Sequence, residues 1–522
     1  MNGSRQQKAV ERKRRLNQRK RRIAWRLRER KWPDQPRPMF TARNIHYELA
    51  DRDRGLGEGG IGAMHLLATR VGLVERIDRE LHLLKRHVPY HESDHVLNIA
   101  YNILCGGTCL EDLELRRNDE VYLDALGAQR IPDPTTAGDF CRRFTFADVE
   151  SLMDAVNETR IGVWRQQPEE FFDEAVIDLD GHQAETTGQC KEGIGLSYDG
   201  RWCYHPLALT LHNTGEPLFM VNRPGNRPSH ENAWIYADGA IELCRRGGFK
   251  KVLLRGDTDF SQCAHLDRWD AGPNVRFVFG FDAASNLVDI AENLPQSAWK
   301  RLQRKAKYQV KTQPRRRPEN VKERIVVEKG YENIKPNGEE VAEFAYRPGA
   351  CRKTYRMVAV RKNLSVEKGE LVLFDDVKHF FYITNDRVSP REKVVQEANG
   401  RCHQENLIEQ LKNGVHAMRM PVGDLVSNGA YMVMASLAWT LKAWFALLLP
   451  EEGRWKEKHG RQKRSVLSME FKKFVNAFIR VPVQLVRAGR RVTFRLLSWN
   501  PWLEVLLRGV DALRAPLPLR GG

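Results

Sequence analysis

The stretch from Glu174 to Phe279 most constrains the fold of this chain, because short apolar runs alternate there with a helical pattern. The apolar runs predict strands at residues 175–180, 206–211, 251–255 and 275–279. Between the second and third runs, residues 231–246 have the spacing of a helix. Strands that are followed by a helix and further strands are typical of an α/β protein with a mixed sheet.

The charge of the chain points to a polyanionic partner. The 522 residues carry 85 Lys or Arg against 67 Asp or Glu, a formal net charge of +18. With 41% hydrophobic residues the chain can also build a large core, which excludes a disordered or fibrous protein. Nucleic acid is the commonest polyanion that such a protein binds, and an anionic membrane surface is the alternative.

Much of this charge lies in the first 32 residues. They hold 14 Lys or Arg against Glu11 and Glu29, a local excess of 14 − 2 = +12. Because like charges repel, we expect this arm to be disordered or only partly helical until phosphates neutralise it. A solvated tail without a partner is the alternative. The run Arg315-Arg316-Arg317 forms a second basic segment and is a candidate for DNA contacts.

Other patterns exclude several classes of protein. The basic start is not followed by the apolar stretch of a signal peptide, so we expect a cytoplasmic location, associated with the bacterial nucleoid. Residues 430–449 are the most apolar, but they include Ser436, Thr440 and Lys442, which favours a buried helix over a membrane span. The nine cysteines are scattered singly, which supports neither a zinc site nor a disulfide framework.

The changes in pattern along the chain predict six regions. These are a basic flexible arm (1–55), a helical DNA-binding region (56–168), the first part of an α/β core (169–299), a basic β-rich insertion (300–372), the second part of the core with a catalytic helix (373–450), and a basic linker with a helical C-terminal region (451–522). Residues 356–361, in the insertion, and residues 379–384, in the second part of the core, predict further strands.

Three separated acids are candidates for one metal site. Asp180 ends the first predicted strand, Asp257 follows the third, and Glu405 lies on a predicted helix. Strand ends hold side chains in fixed positions, and carboxylates are the ligands that Mg²⁺ and Mn²⁺ prefer. Two such ions could activate water or a 3′-hydroxyl and stabilise the leaving oxygen of a phosphodiester. Each acid taken singly has a structural alternative, since strand edges and turns also carry Asp.

The predicted helix over residues 401–412 carries cations beside the third acid. At about 100° per residue, Arg401, Glu405, Ile408 and Lys412 share one face. This face suits a phosphodiester and metal ions. The alternative is a surface helix in which Arg401 and Glu405 form an ordinary i,i+4 ion pair.

With these residues the chain resembles the DDE transposases of bacterial insertion sequences, in particular the group whose signature is Tyr-x2-Arg-x3-Glu-x6-Lys. Arg401, Glu405 and Lys412 match the last three positions, whereas Ala398 stands in place of the Tyr. The wider sequence, from about residue 56 to 450, is similar to the insertion sequence 1380 family. The segments that carry it are Ile177-Asp178-Leu179-Asp180, Arg223-Pro224-Gly225-Asn226 and Arg255-Gly256-Asp257-Thr258-Asp259-Phe260.

The resemblance implies a ribonuclease-H-like core that a mainly β insertion interrupts between the second Asp and the Glu. It also implies Mg²⁺-dependent (or Mn²⁺-dependent) cut-and-paste transposition at terminal inverted repeats of double-stranded DNA, with a homodimer in the synaptic complex and no membrane partner. Arg401 and Lys412 would contact DNA near the cleaved end. Because Asp178 and Asp259 neighbour the two candidate aspartates, either could replace its neighbour as a ligand.

Three other functions remain open at this point. The same core could belong to a nuclease that cuts DNA without joining it. It could also belong to a DNA-binding regulator or a domesticated, inactive transposase, although the intact acids argue against that alternative. A glycosidase with paired carboxylates is disfavoured by the net charge and by the few aromatic residues near the acids.

Overall fold

The computed structural model describes residues 2–26, 28, 46, 53–188, 190–197, 200–302, 339–363, 377–489 and 491–515. It divides into two compact units. The helical unit comprises Met1–Gln166 and Gln410–Gly522, and the sheet unit comprises Gln167–Glu409. The run Arg315-Arg316-Arg317, predicted to contact DNA, lies outside the described residues.

The α-helices of the described residues are α1 (Asn2–Arg26), α2 (Ile61–Arg70), α3 (Leu73–Glu80), α4 (Glu92–Leu104), α5 (Leu113–Arg117), α6 (Glu120–Leu126), α7 (Pro134–Cys141), α8 (Phe146–Trp164), α9 (Ala233–Gly247), α10 (Cys263–Ala271), α11 (Ser285–Glu292), α12 (Arg391–Asn399), α13 (Cys402–Glu409), α14 (Leu425–Leu447), α15 (Lys456–Leu467), α16 (Phe471–Phe474) and α17 (Leu503–Arg514).

The strands of the described residues are β1 (Gly55–Leu56), β2 (Ala175–Gly181), β3 (Ala184–Glu185), β4 (Gly195–Leu196), β5 (Trp202–Tyr204), β6 (Leu207–Leu211), β7 (Glu216–Val221), β8 (Val252–Gly256), β9 (Val275–Phe281), β10 (Lys300–Arg301), β11 (Glu339–Tyr346), β12 (Tyr355–Asn363), β13 (Val377–Thr384), β14 (Val483–Ala488) and β15 (Arg491–Leu496).

A mixed sheet of nine strands forms the centre of the sheet unit, in the order β10-β11-β12-β13-β9-β8-β2-β6-β7. Strands β2, β8 and β9 are parallel to one another, and the remaining neighbours are antiparallel. The prediction of an α/β protein with a mixed sheet is confirmed. Because β2 and β8 are parallel neighbours, the residues that follow them leave the sheet at the same edge.

The predicted strands are all present, but the sequence missed several others, including β7 and the hairpin of β14 and β15, which lies in the C-terminal region predicted to be helical. Strand β7 contains Pro217, which argues against a strand in the middle of a sheet. It is tolerated because β7 is an edge strand whose pairing with β6 is irregular at Leu209/Thr210. The predicted strands at 356–361 and 379–384 appear as β12 and β13, and they extend the central sheet from β9.

Alternating apolar residues build the core on one face of this sheet. Buried side chains from the strands meet Val394 and Val395 of α12, and the strand residues of this cluster are Leu253, Val278, Val341, Val358 and Val360. Burial of each such side chain contributes about 1.5–3 kcal/mol. The core therefore holds α12 against this face of the sheet.

Helix α14 is the core helix of the helical unit. Of the described helices, it is the one long and apolar enough to cross a membrane, and its apolar window is wholly buried inside the protein. The prediction of a buried helix here is confirmed. Lys442 is tolerated in this helix because its Nζ donates to the Leu467 carbonyl at 2.8 Å and lies 3.6 Å from the centroid of the Trp439 ring. Burial lowers the pKa of Lys442 to about 7.

The prediction of a disordered or partly helical arm is wrong for residues 2–26, which form α1. Leu16 is 8% exposed, and the Arg12 guanidinium pairs with Asp511 at 2.6 Å. Arg19 donates to the carbonyls of Leu496 and Ser498. These contacts place the arm against α17 and the β14–β15 hairpin, so local charge repulsion is offset by tertiary contacts that composition does not reveal.

We expect Leu16→Ser to detach α1, because burial of a leucine contributes about 2 kcal/mol. Amide hydrogen exchange of residues 2–26 should then accelerate toward that of a free peptide. Val10→Ser on the same helix is the matched control, since Val10 is 69% exposed, and it should leave exchange unchanged. Equal exchange in both variants would contradict docking through Leu16.

Candidate functional site

A buried ion pair aligns the two central strands of the sheet unit. Asp178 of β2 lies beside Arg255 of β8 in the parallel register. Arg255 donates from Nε to Asp178 Oδ1 at 2.7 Å and from Nη2 to Asp178 Oδ2 at 2.8 Å. The side chains are 1% and 5% exposed, and His212 Nδ1 lies 3.3 Å from Asp178 Oδ2. A two-point contact of this kind specifies one register of the strands.

The same register brings Asp180 and Asp257 to one place. Each lies two residues beyond a member of the ion pair, so 180 − 178 = 257 − 255 = 2. Alternate residues of a strand share a face, and parallel neighbours end at the same edge. The acids thus lie at the carboxyl ends of β2 and β8. Asp257 also caps the turn that follows, because its Oδ1 accepts from the backbone N–H of Asp259 at 3.1 Å.

The electrostatics of this edge disfavour two isolated negative charges. Burial raises the pKa of Asp180 to about 7; the Arg401 charge lowers it, and those of Asp257 and Glu405 raise it. Burial also raises the pKa of Asp257, with Asp259 adding to the effect and Arg401 opposing it. Carboxyl groups crowded and desolvated in this way are stabilised in their charged form by a cation between them.

Arg401 supplies that cation in this structure. Its Nη1 lies 3.5 Å from Asp180 Oδ1, 3.3 Å from Asp257 Oδ2 and 3.4 Å from the carbonyl of Leu179. The side chain is 18% exposed. The guanidinium therefore binds both strand ends at once, whereas the sequence alone had offered a surface ion pair with Glu405 as the alternative.

The prediction of one continuous α-helical face over residues 401–412 is wrong. Helix α12 ends at Asn399, Arg401 lies in a turn, α13 covers Cys402–Glu409, and a π-helical turn covers Gln410–Gly414. At the end of α12, Arg255 Nη1 donates to the Glu397 carbonyl at 2.8 Å, and the Arg401 N–H bonds to the Ala398 carbonyl at 3.3 Å in place of the i−4 carbonyl of a continuing helix.

Two further contacts fix the position of α13. A Cβ on Gly400 would lie 2.5 Å from Arg255 Nη1, so a side chain there would push against the guanidinium that Asp178 binds. Gln404 Nε2 donates to the carbonyls of Asp178 and Ala208, at 3.0 and 3.3 Å. These bonds connect the start of α13 to β2 and β6, which places the helix beside the strand ends.

The other predicted site residues lie at different places in the structure. Glu405 is exposed on α13, and its charge adds to the effect of burial in raising the pKa of Asp180. Lys412 lies in the π-helical turn, which belongs to the helical unit. Of the alternative ligands, Asp178 is occupied by Arg255 and His212, and Asp259 is exposed.

A second group of possible metal ligands lies in the helical unit. Among the described residues, the potential ligand atoms of His87, His91 and Glu92 all lie within 4.8 Å of one another. Glu92 Oε1 accepts from the backbone N–H groups of Leu83 and Leu84, and its Oε2 lies 3.0 Å from His87 Nε2. The two imidazoles stack with their centroids 4.1 Å apart. Glu92 thus joins the loop before α4 to that helix, a structural role that needs no ion.

Sequence reasoning missed the residues that support the acids, namely His212, Arg255, Gly400 and Gln404. One signal was present, because Asp178 and Arg255 are separated by 255 − 178 = 77 residues, the same as Asp180 and Asp257. Equal spacing is what two parallel neighbours in register produce. Nothing comparable marks Gln404, whose role depends on how α13 meets the sheet.

Comparisons with known proteins address the family of the chain. A family model described as "Transposase DDE domain group 1" matches residues 56–517. No curated protein matches the chain. Among solved structures, one similar chain is a piggyBac transposase in a synaptic complex with hairpin DNA. It has 10% sequence identity and a TM-score of 0.36, and the match covers 81% of this chain and 83% of that one. The similarity is too low to support an argument about function.

The family match extends over most of the chain and includes both strand-end aspartates, Arg401 and Glu405. The protein therefore belongs to the DDE transposase family, in its domain group 1.

Proposed function

We propose that this protein is the transposase of a bacterial insertion sequence, of the 1380 type, which moves its element by a cut-and-paste reaction. It would cleave double-stranded DNA at the terminal inverted repeats and join the ends to target DNA. The observation that carries the proposal is the register of β2 and β8, which places Asp180 beside Asp257 with the Arg401 cation between them.

The topology supports a ribonuclease-H-like core. Strands β7, β6 and β2 are antiparallel neighbours, and β8 and β9 continue from β2 in parallel. The candidate acids follow the first and fourth strands of this set in chain order. Strands β10 to β12 fall between the second aspartate and Glu405, within residues 300–372, where the resemblance to insertion sequence transposases implies a β-rich insertion.

The donor groups fit divalent ions of the Mg²⁺ or Mn²⁺ class, and we propose two such ions. Asp180 and Asp257 offer carboxylate oxygens at the end of rigid strands, and Glu405 would complete the set from α13. The raised pKa values of both aspartates indicate a site that needs positive charge. When bound, such ions supply an activated water or 3′-hydroxyl and stabilise the leaving oxygen.

The position of Arg401 beside both aspartates suggests that it also binds the DNA. Asp180 and Asp257 would hold the ions, and Arg401, whose guanidinium now contacts both carboxylates, would donate to a phosphate near the cleaved end. A guanidinium suits that role because its planar fork can bind two phosphate oxygens. We propose that Lys412 contacts DNA near the same cleaved end. We also propose that Arg315, Arg316 and Arg317 make mostly sequence-independent contacts with phosphates.

Pairing of two element ends implies a homodimer in the synaptic complex, and the expected place of action is the bacterial nucleoid. A nuclease that does not join DNA, and an inactive regulator derived from a transposase, are the rival functions. The supported arrangement of Asp180 and Asp257 favours an active enzyme, since a protein that only binds DNA has no need of a crowded, desolvated acid pair.

The first test is the replacement of each candidate acid. We expect Asp180→Asn, Asp257→Asn and Glu405→Gln each to abolish Mg²⁺-dependent cleavage of the element ends, while DNA binding and thermal stability persist. Stability persists because these charges are disfavoured by burial or lie at the surface. Full cleavage by any one variant would remove that residue from the site, and binding without cleavage by the wild-type protein would favour the regulator.

The neighbouring aspartates provide matched controls with opposite results. Asp259→Asn alters an exposed residue and should keep cleavage. Asp178→Asn leaves the buried Arg255 without its partner, which should cost about 3–5 kcal/mol in the free energy of unfolding. Loss of activity in Asp178→Asn should therefore be accompanied by a lower melting temperature, whereas loss in Asp180→Asn should not.

The second test concerns the two cations of the signature. Arg401→Gln and Lys412→Ala should each lower the rate of strand cleavage at least about tenfold, or about 1.4 kcal/mol of transition-state stabilisation. Their melting temperatures should change little. Lys393→Ala is the control, because Lys393 is 55% exposed and pairs with Glu397 on α12. Unfolding of Arg401→Gln with full specific activity in the folded fraction would make Arg401 a structural residue.

The third test measures what the basic arm contributes. Each phosphate that the arm neutralises contributes about −0.9 to the slope of log K against log salt concentration. Deletion of residues 1–32 should therefore flatten the salt dependence of DNA binding. An unchanged slope would show that the arm serves only the docked contacts of α1.

A further inference from the structure

A cluster of histidines before helix α4 has no role in the function proposed above. Four of the 15 histidines of the chain lie between residues 82 and 95, at His82, His87, His91 and His95. His87 and His91 are exposed, and both lie beside Glu92, the first residue of α4. Because imidazole is the commonest ligand that proteins offer to metal ions, this group is a candidate metal site.

Glu92 has one oxygen anchored and the other directed at an imidazole. Its side chain is 1% exposed, and Oε1 accepts from the backbone N–H groups of Leu83 and Leu84 at 3.0 and 2.9 Å. These bonds hold the loop without an ion. They leave Oε2 beside His87 Nε2, at 3.0 Å. A ligand whose position is fixed by hydrogen bonds of this kind loses little freedom when a metal binds, which favours binding.

The three ligand atoms are close enough for one ion. The potential ligand atoms of His87, His91 and Glu92 lie within 4.8 Å of one another, and the two imidazole rings are nearly parallel, with an angle of 16° between their planes. Zinc bonds of about 2.0–2.2 Å in a tetrahedral arrangement separate the ligand atoms by about 3.4 Å. The His87 side chain is 44% exposed, so rotation of the imidazoles toward Glu92 can close the remaining distance.

The donor set indicates the chemical class of the ion. Two imidazole nitrogens and one carboxylate oxygen suit Zn²⁺, with water as a fourth ligand, whereas Mg²⁺ prefers oxygen ligands alone. Nearby acids supply further negative charge, because Asp94 accepts from the His91 backbone N–H at 2.9 Å and Asp78 accepts from Ser93. This charge offsets the positive end of α4. The site thus differs in its ion from the strand-end aspartates of the sheet unit.

We propose that His87, His91 and Glu92 form a zinc site, which joins the loop before α4 to the first turn of that helix. Helix α4 packs against α3 and α14 within the helical unit. An ion that binds the folded loop and not the unfolded chain stabilises this unit. The inference does not depend on the proposed function, because its ligands and its ion differ from those of the candidate acids.

The test measures zinc binding by the full chain after treatment with a chelator. In excess Mg²⁺, isothermal titration calorimetry should show one Zn²⁺ ion bound per chain, and saturating Zn²⁺ should raise the melting temperature by at least about 3 °C. The variant that combines Asp180→Asn with Asp257→Asn should bind Zn²⁺ with unchanged affinity. Absence of saturable binding by the wild-type chain would overturn the proposal, and so would loss of binding in the aspartate variant.

Single substitutions locate the ion. His87→Ala, His91→Ala and Glu92→Gln should each weaken Zn²⁺ binding at least about tenfold, and zinc should then stabilise the chain less. Glu92→Gln keeps an oxygen for the backbone N–H groups of the loop. His82→Ala is the matched control, because His82 is an exposed histidine of the same loop, and it should leave Zn²⁺ affinity unchanged. Unchanged affinity in both His87→Ala and His91→Ala, with the fold intact by circular dichroism, would also overturn the proposal.

The result separates this inference from the proposed function. Zn²⁺ binding at these residues in a protein that never cleaves DNA would keep the zinc site and reject the enzyme. Mg²⁺-dependent cleavage by a protein that does not bind Zn²⁺ there would keep the enzyme and reject the zinc site.

Discussion

The pair between Asp178 and Arg255 is the interaction on which the candidate site depends. It joins β2 and β8, which are neighbours in the central sheet, in one register. Arg255 also donates a hydrogen bond to the Glu397 carbonyl at the end of α12. A shift of one residue would turn Asp180 and Asp257 to opposite faces of the sheet. The pair therefore positions both acids and, through the end of α12, the turn that carries Arg401.

A buried ion pair of this kind is not needed for stability alone. Desolvation of two charges offsets much of their attraction, so apolar side chains of similar volume could pack as well. The Asp178–Arg255 pair instead specifies how the two strands align, because a two-point contact excludes neighbouring registers. In contrast, Asp180 and Asp257 share the single Arg401 guanidinium at 3.5 and 3.3 Å, and burial raises the pKa of both. The crowded acids are thus stabilised by a nearby positive charge, which Arg401 supplies in this structure.

The sequence predicted the elements of the sheet unit better than their ends and connections. Apolar runs were sufficient for β2, β6, β8 and β9, because a strand buried on both faces needs apolar residues throughout. Strand β7 was missed because Pro217 is acceptable only at an edge, and edge position is a property of the assembled sheet. The helix over residues 401–412 was predicted as continuous because Arg401, Glu405, Ile408 and Lys412 have helical spacing, whereas in the structure α13 covers Cys402–Glu409 and a π-helical turn follows it.

The sequence by itself determined the α/β fold class and indicated the candidate acids Asp180, Asp257 and Glu405, since apolar runs, the acids that follow them and a basic composition are local properties. Only the tertiary structure decided that Asp178 is occupied by Arg255 and that Arg401 bridges Asp180 and Asp257. It also decided that α1 docks through Leu16. The physical reason is that burial and pairing of a charge depend on residues distant in the chain, and the spacing within a segment contains no information about them.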